Sequence, residues 1–315
     1  MRAIDARVFL KLQLKPTGML RGNTRLAVAG LALLAATLAS AAAGDQQAAS
    51  EYGATFWIPP LDKDGTPAEE CTAAVVWMHG LGDTGKGWQS HLRSIHAAFP
   101  HICFVLPTAP TRPVALNGGR PVTAWFDVAE DDIAATLDGK DGDAAGVEAS
   151  ARFAANLVAQ VARRIGEAPS RVIVAGFSQG AVIALHAGLR YPALAAADAR
   201  QPLDKATPHG AVGGVLAVGG FLAAQSTLLA SATRGGGRGF AGDVTRVLIV
   251  HGDADDVVPP GLGVHAATKL KKVGAKRLEH RSVAGMRHGL NDEGMRAVVT
   301  FIRETLPPDG ERADL

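Results

Sequence analysis

A strand, a sharp turn and a helix are predicted around one serine, and this combination limits the fold more than any other feature of the chain. Residues 171–175 are rich in Val and Ile, as in a strand buried on both faces, and the apolar run after Gly180 is long enough for a helix. Between them lies the pattern G-x-S-x-G, with Gly176, Ser178 and Gly180 at its fixed positions. The glycines allow a tight turn that lifts the serine hydroxyl above the sheet edge, beside the unpaired N–H groups of a helix N-terminus. The pattern predicts a nucleophile next to a site for an oxyanion; a glycine-rich turn that happens to contain serine is the alternative.

The rest of the chain alternates predicted strands with predicted helices, which is typical of an open, mostly parallel sheet covered by helices. Strands are predicted at residues 54–58, 73–78, 101–106, 171–175, 212–219, 246–250 and 278–283. Helices are predicted after Gly180 and at residues 147–165, 261–273 and 292–306. Residues 107–121, 131–143 and 226–242 are predicted to be loops, and residues 193–209 a loop or a short cap. With 315 residues, the chain is long enough for one large α/β domain.

The charge of the chain argues against a nucleic-acid partner. The formal net charge is +2, but residues 1–50 carry six basic and two acidic residues, which is +4. The remainder is therefore at −2, and it lacks the basic surface that nucleic-acid binding requires.

The first 50 residues have the composition of an addressing segment rather than of a folded domain. Residues 26–43 are apolar and rich in Ala; Arg21 and Arg25 precede them, and small residues at 39–41 resemble a cleavage site. A secretory signal is the first interpretation. The apolar stretch of 18 residues is also just long enough for a membrane anchor, and the arginine-rich start suits an organelle transit peptide. The sequence leaves the cellular location open among these three.

Cys71 and Cys103 are the only cysteines of the chain, too few for a disulfide framework or a four-cysteine metal site. Two small buried apolar side chains are the simpler interpretation; a disulfide between neighbouring strands is the alternative if the protein is exported. No H-x-x-x-H or paired-cysteine spacing appears, so neither a metal nor another cofactor is expected.

A glycine-rich loop follows the strand predicted at residues 73–78. Residues 80–87 nearly match the phosphate-binding pattern G-x-x-x-x-G-K-[ST], but Gly87 stands where a hydroxyl would bind magnesium, which argues against a nucleotide site. If Ser178 is a nucleophile, the same loop has another use. A flexible turn at this strand end allows the amide of Leu81 to face inward and donate to an oxyanion.

A serine nucleophile needs a base, and the base needs a carboxylate that fixes its tautomer. In the nucleophile-elbow architecture the chain order is serine, acid, histidine. Among the later histidines, His265 falls in a predicted helix and His280 in a predicted strand, whereas His288 lies in a loop after the last strand. His288 is therefore the predicted base. The acid stays open among three carboxylates at one strand end, which are Asp253, Asp255 and Asp256.

Two neighbouring aromatic residues, Trp125 and Phe126, follow the proline-rich stretch that begins at residue 107. They are predicted either to form a wall for an apolar acyl group or to pack as a surface corner.

With these residues assembled, the chain resembles the acyl-protein thioesterases of the phospholipase/carboxylesterase family of small α/β-hydrolases. The matching segments are HGLGDTGKGW at 79–88, APTRPV at 109–114, WFD at 125–127, GFSQG at 176–180, HGDADDVVP at 251–259 and GMRH at 285–288. The resemblance covers about residues 55–308, and the catalytic domain is expected at residues 51–315. It implies an α/β-hydrolase fold, with Ser178 as nucleophile, His288 as base and Asp255 as acid. It also implies oxyanion donors at the backbones of Leu81 and Gln179.

The expected activity is hydrolysis of acyl thioesters or carboxylic esters through an acyl-enzyme on Ser178. The substrate would be an acylated protein, a lysolipid or a small ester, and a lipid substrate or the leader would bring the protein to membranes. The alternative is a non-catalytic protein of the same fold that binds an apolar acyl ligand.

Overall fold

The computed structural model describes residues 51–166, 169–196, 210–233 and 240–308. Seven strands form one sheet: β1 (Gly53–Ile58), β2 (Ala73–Met78), β3 (Ile102–Thr108), β6 (Val172–Phe177), β7 (Gly214–Val218), β8 (Arg246–Gly252) and β9 (Leu278–Val283). Two short strands, β4 (Thr111–Pro113) and β5 (Pro121–Thr123), pair as a separate hairpin. The helices are α1 (Gln89–His96), α2 (Glu130–Ala135), α3 (Ala144–Arg164), α4 (Gln179–Leu189), α5 (Tyr191–Ala196), α6 (Gln225–Thr233), α7 (Pro260–Lys272) and α8 (Asp292–Thr305).

The strand order of the sheet is β1-β3-β2-β6-β7-β8-β9, which places the serine strand β6 at the centre. All neighbouring strands are parallel except β1, which runs antiparallel to β3 at one edge. The carboxyl ends of β2, β6, β7, β8 and β9 therefore meet at one edge of the sheet. This topology brings together loops that are far apart in the sequence.

The core lies on both faces of the sheet, because successive side chains of a strand point to opposite faces. In β2, Val76 packs with α3 and α4 on one face, whereas Val75 packs with α1 and α8 on the other. Every residue of β2 and β3 is buried, which explains their continuous apolar sequences. The predicted α/β architecture, a mostly parallel sheet with helices on both faces, is confirmed.

The predicted strands and long helices are present within a few residues of their expected bounds, but several short elements were missed. The predicted loop at 131–143 contains most of α2, and the one at 226–242 contains most of α6. The stretch at 107–121 includes β4, and helix α1 was not predicted at all. Helix α1 does carry apolar residues at helical spacing, Leu92 and Ile95, which face the core. Helix α6 lacks such periodicity and depends on tertiary contacts. The start of α6, for example, is held by Gln225 Nε2, which donates to the carbonyl of Thr136 at 2.6 Å, and by the Ser226 amide, which donates to Asp141.

Cys71 and Cys103 form a disulfide, so the interpretation of two free buried thiols is wrong. Cys71 lies just before β2, and Cys103 is in β3, paired with Ala74 of β2. The bond therefore joins two adjacent strands at their amino ends, whereas the loop after β2 that carries Leu81 leaves the opposite end.

The expected leader, residues 1–50, lies outside the described residues. Within the described ranges, no helix combines the length and the apolar character needed to cross a membrane.

The position of the disulfide predicts that it affects stability and not the chemistry at the other end of the strands. The Cys71→Ser/Cys103→Ser double variant should lose about 3–4 kcal/mol of unfolding free energy, because the bond closes a loop with a sequence separation of 32. Thermal or denaturant unfolding of the two proteins measures this loss. Activity per folded molecule at 25 °C should stay the same, and a loss of activity without a loss of stability would contradict the prediction.

Candidate active site

Ser178 occupies a strained turn between β6 and α4. Its backbone has φ 53° and ψ −119°, a region that a residue with a side chain rarely adopts and that costs about 1–3 kcal/mol. The Ser178 amide donates to the Val218 carbonyl on β7 at 2.8 Å. A side chain on Gly176 would come within 2.2 Å of the Gly180 carbonyl oxygen, and one on Gly180 within 2.2 Å of the Met78 carbonyl oxygen. The two glycines are therefore required by close backbone packing, as the G-x-S-x-G pattern suggests.

In the structure, His288 lies within hydrogen-bonding distance of both Ser178 and Asp255. His288 Nε2 lies 3.0 Å from Ser178 Oγ, and His288 Nδ1 lies 2.9 Å from Asp255 Oδ2. With the Nδ1 proton donated to the carboxylate, Nε2 is free to accept the serine proton. These residues come from loops at the ends of β6, β8 and β9, which meet only because the strands are parallel.

The surroundings of the three candidate carboxylates separate their roles. Asp255 is buried, and its Oδ1 accepts the amides of Val257 at 3.0 Å and Val258 at 2.9 Å, so its Oδ2 faces the histidine. Asp253 accepts the Gly285 amide at 2.7 Å. Asp256 is exposed and forms an ion pair with Arg287, whose hydrogen bond lowers the pKa of that carboxyl. Only Asp255 reaches His288.

Two residues beside the Ser178, His288 and Asp255 group were not singled out from the sequence. His251, which is buried on β8, places Nε2 2.9 Å from the Val258 carbonyl and 3.4 Å from Asp255 Oδ2. The Phe177 ring lies 4.8 Å from the His288 ring. Both belong to the matched segments, but their contacts depend on how separate loops pack, which no local pattern shows. His265 on α7 and His280 on β9 are not part of this group; burial lowers the pKa of each.

Leu81 and Gln179, whose amides are the expected oxyanion donors, both line the cavity that Ser178 lines. Gln179 is the first residue of α4, so its N–H has no partner within the helix. Gly80 is so close to Ser178 that a side chain on Gly80 would contact Ser178 Cβ at 3.4 Å. Within the described part of the chain, neither the Leu81 amide nor the Gln179 amide donates to a protein acceptor. Two residues of this cavity lining therefore carry an N–H group without a described protein acceptor.

An apolar cavity of about 300 Å³ opens at Ser178 and His288. Its other lining residues are mostly apolar and come from several loops and from the ends or sides of β6, α2 and α4: Gly80, Leu81, Asp83, Leu116, Phe126, Val128, Ile133, Phe177, Gln179, Phe221, Val257 and Val258. Leu116 and Val257 are also exposed to solvent. The cavity has the character of a site for an apolar group attached to a carbonyl.

The two neighbouring aromatics have different positions. Phe126 lines the cavity, as one interpretation of the sequence expected. Trp125 is fully buried outside the cavity lining, and its Nε1 donates to the His79 carbonyl at 2.8 Å. The expectation that Trp125 forms a wall for the acyl group is therefore corrected: it is a packed residue beneath the loop after β2.

The glycine-rich loop after β2 does not form a phosphate cradle. Several of its amides already donate to protein acceptors, namely those of Gly82, Asp83, Thr84, Gly85 and Gly87. A side chain on Gly85 would come within 2.1 Å of the Leu106 carbonyl oxygen, so this glycine serves packing. In the described ranges, no group of three or more His, Cys, Asp or Glu side chains is arranged to hold a metal ion.

Comparisons with known proteins show which family the chain belongs to. The profile of the phospholipase/carboxylesterase family matches residues 65–199 and 202–306. Acyl-protein thioesterase 1 of Gibberella zeae is 30% identical over 247 residues, covering 76% of this chain and 94% of the relative. Acyl-protein thioesterase 1 of Schizosaccharomyces pombe is 30% identical over 241 residues, with the same two coverages of 76% and 94%. The structure of Zea mays acyl-protein thioesterase 2 has 29% identity and a TM-score of 0.63, and the match covers 81% of this chain and 100% of that one.

The parallel sheet and the position of Ser178 at the turn after its central strand define an α/β-hydrolase. More narrowly, the chain belongs to the phospholipase/carboxylesterase family, and it is a hydrolase of esters or thioesters. The resemblance to acyl-protein thioesterases is thereby confirmed.

The contacts of the carboxylates predict which of them the hydrolytic activity needs. Asp255→Asn should lower kcat by about 10²–10⁴-fold, because an amide neither fixes the His288 tautomer nor stabilises the imidazolium. Asp253→Asn keeps an oxygen that can accept the Gly285 amide, and Asp256→Asn removes only an exposed ion pair, so each should cost less than about tenfold. Steady-state hydrolysis of a p-nitrophenyl ester measures all three variants, and equal losses would contradict the choice of Asp255.

Proposed function

We propose that this protein is a serine-dependent acyl-protein thioesterase or carboxylesterase that works through an acyl-enzyme on Ser178. The proposal rests on one observation: His288 lies within hydrogen-bonding distance of both Ser178 and Asp255, at the mouth of an apolar cavity. Family membership supports the reaction class, and the geometry supports the residue roles.

In the first half of the reaction, neutral His288 accepts the Ser178 proton at Nε2 as Oγ attacks the carbonyl carbon. Asp255 stabilises the imidazolium that results. The carbonyl oxygen becomes an oxyanion that accepts the amides of Leu81 and Gln179, each contributing on the order of 3 kcal/mol to lowering the barrier. When the tetrahedral intermediate collapses, the bond to the leaving group breaks, and the thiolate or alkoxide takes the proton from His288.

In the second half, His288 accepts a proton from water as the water attacks the acyl-enzyme carbonyl. The same two amides stabilise the second oxyanion, and collapse returns the proton to Ser178 and releases the carboxylic acid. No step needs a metal or an organic cofactor.

The cavity supports an acyl substrate. An acyl chain next to the reacting carbonyl would contact Phe126, Val128, Ile133 and Phe221, while the leaving group would extend past the exposed Leu116 and Val257. Apolar pockets discriminate only about 1–3 kcal/mol per methylene, so one site can accept acylated proteins, lysolipids and small esters. The names of the relatives, which are acyl-protein thioesterases, favour an acylated protein.

Replacement of the nucleophile tests the mechanism directly. Ser178→Ala should abolish p-nitrophenyl ester hydrolysis and covalent labelling by a fluorophosphonate probe, and it should not lower the melting temperature. The wild-type protein should be labelled at Ser178, as mass spectrometry of the labelled peptide can verify. Failure of the wild type to react would favour the alternative, a non-catalytic protein that binds an acyl ligand.

We also infer that residues 1–50 are an addressing segment that exports the hydrolase domain, residues 51–315. The disulfide supports export over a cytosolic location, since disulfides persist in oxidising compartments and are rare where thiols are kept reduced.

Expression of the full chain in an export-competent host tests this inference. The exported protein should have lost its first 40–50 residues or so, as a cut after the apolar stretch requires. Intact-mass measurement gives the new N-terminus, and thiol titration should find Cys71 and Cys103 oxidised. An uncut chain with free thiols in the cytosol would contradict export; an uncut chain in the membrane fraction would indicate an anchor.

A further inference from the structure

His79 directly follows β2, is fully buried, and has no part in the mechanism proposed above. Its ring has a partner on each nitrogen. Nε2 accepts the Ala109 amide at 3.0 Å, and Nδ1 lies 2.6 Å from the Gly80 carbonyl oxygen. Because an amide can only donate and a carbonyl can only accept, the ring proton is on Nδ1 and is donated to Gly80. Burial lowers the pKa of His79, in keeping with a neutral ring.

The Gly80 carbonyl belongs to the same peptide unit as the Leu81 amide. A peptide unit is planar, and a trans unit directs its C=O and N–H to opposite sides; the described chain contains no cis peptide bond. The carbonyl accepts two hydrogen bonds, from His79 Nδ1 and from the Asp83 amide at 3.2 Å. With the carbonyl held on that side, the Leu81 N–H must point the other way.

Gly80, Leu81 and Ser178 all line the same cavity, and no described protein group accepts the Leu81 N–H, so the open cavity is the side left for it. We propose that His79 is a positioning residue for the oxyanion site: by holding the Gly80 carbonyl, it aims the Leu81 amide at the substrate oxygen. This inference rests on the proposed function, because an oxyanion forms only if Ser178 attacks a carbonyl.

The same contacts connect His79 to the second amide donor. Trp125 Nε1 donates to the His79 carbonyl at 2.8 Å, and the two rings are 5.1 Å apart. The Gln179 side chain accepts the Trp125 amide at 2.8 Å and donates to the Phe126 carbonyl at 2.7 Å. The buried Trp125 therefore contacts both His79, which precedes the Gly80–Leu81 peptide, and Gln179. Packing around Trp125 thus sets the distance between the Leu81 and Gln179 amides, which would flank the oxyanion.

Hydrogen-bond donors must be fixed before the reaction to stabilise an oxyanion efficiently, and loss of one donor costs about 10²–10³-fold in kcat. If the Gly80–Leu81 peptide could rotate, its amide would turn toward other acceptors and the site would lose that contribution. The role assigned to His79 therefore concerns the transition state more than substrate binding.

Two conservative variants separate the two ring nitrogens. In His79→Asn the side-chain amide can occupy the position of Nδ1 and still donate to Gly80. In His79→Gln the longer side chain reaches the position of Nε2, which restores the Ala109 contact and leaves the Gly80 carbonyl with the Asp83 amide as its one remaining donor. Each variant loses one buried hydrogen bond, so the two form a matched pair for stability.

We expect His79→Gln to lower kcat by about 10²-fold with KM changed less than about threefold, and His79→Asn to lower kcat by less than about tenfold. A trifluoromethyl ketone, which forms an oxyanion adduct with the serine, should show a rise in Ki for the Gln variant that parallels its loss of kcat/KM. A substrate-like amide that forms no adduct should keep its Ki. Melting temperatures of the pair should agree within a few degrees.

Equal losses of kcat in the two variants, or a loss in the Gln variant confined to KM, would overturn the role of His79. An unchanged Ki for the trifluoromethyl ketone would overturn it as well. These results differ from failure of the proposed function, in which the wild-type protein itself would neither hydrolyse esters nor react with the fluorophosphonate.

Discussion

The site depends on the strained backbone of Ser178, which the surrounding packing has to maintain. A positive φ at a serine persists only where neighbouring structure fixes it. Here the fixing contacts are the hydrogen bond from the Ser178 amide to Val218 and the close approach of Gly180 to the end of β2. In return, the hydroxyl stands clear of the sheet, within reach of His288. Packing around the sheet thus offsets the cost of the strained backbone and holds the Ser178 side chain in place.

The site also requires that loops far apart in the sequence meet, and the parallel strands bring them together. The proposed nucleophile, acid and base lie on separate loops, but the carboxyl ends of β6, β8 and β9 open at one edge of one sheet. Each loop is then tied down locally: Asp255 by the amides of residues 257 and 258, and the base by contact with Phe177. Asp255 also lies close to His251, whose Nε2 is within hydrogen-bonding distance of the Val258 carbonyl. Because Val258 lines the cavity, His251 connects Asp255 to the cavity wall. The geometry needed for proton transfer is therefore a product of packing at several places and not of one motif.

Buried neutral groups complete this arrangement. His79 and His186 are both fully buried, and burial lowers the pKa of each, that of His186 to about 4. Each acts as an uncharged hydrogen-bonding group, His79 under the loop after β2 and His186 within α4, where it donates to the Ala223 carbonyl at 2.9 Å. The disulfide stabilises the opposite end of β2 and β3. The disulfide thus lies at the amino ends of β2 and β3, whereas the candidate site lies at the carboxyl ends of the parallel strands.

The sequence by itself determined the class of the fold, and it predicted the central residues of the candidate site. Long apolar strands, periodic helices and the G-x-S-x-G turn are local patterns, and burial of an apolar face is decided mainly by such patterns. Only the tertiary structure decided the rest. It placed Trp125 in the core, joined the two cysteines and formed the helices α2 and α6. It also brought Asp255, rather than Asp253 or Asp256, into contact with His288. Each of these outcomes depends on neighbours far away in the chain. Residues adjacent in sequence carry nearly the same local signal, whereas a hydrogen bond requires atoms about 3 Å apart, and only the packed chain sets that distance.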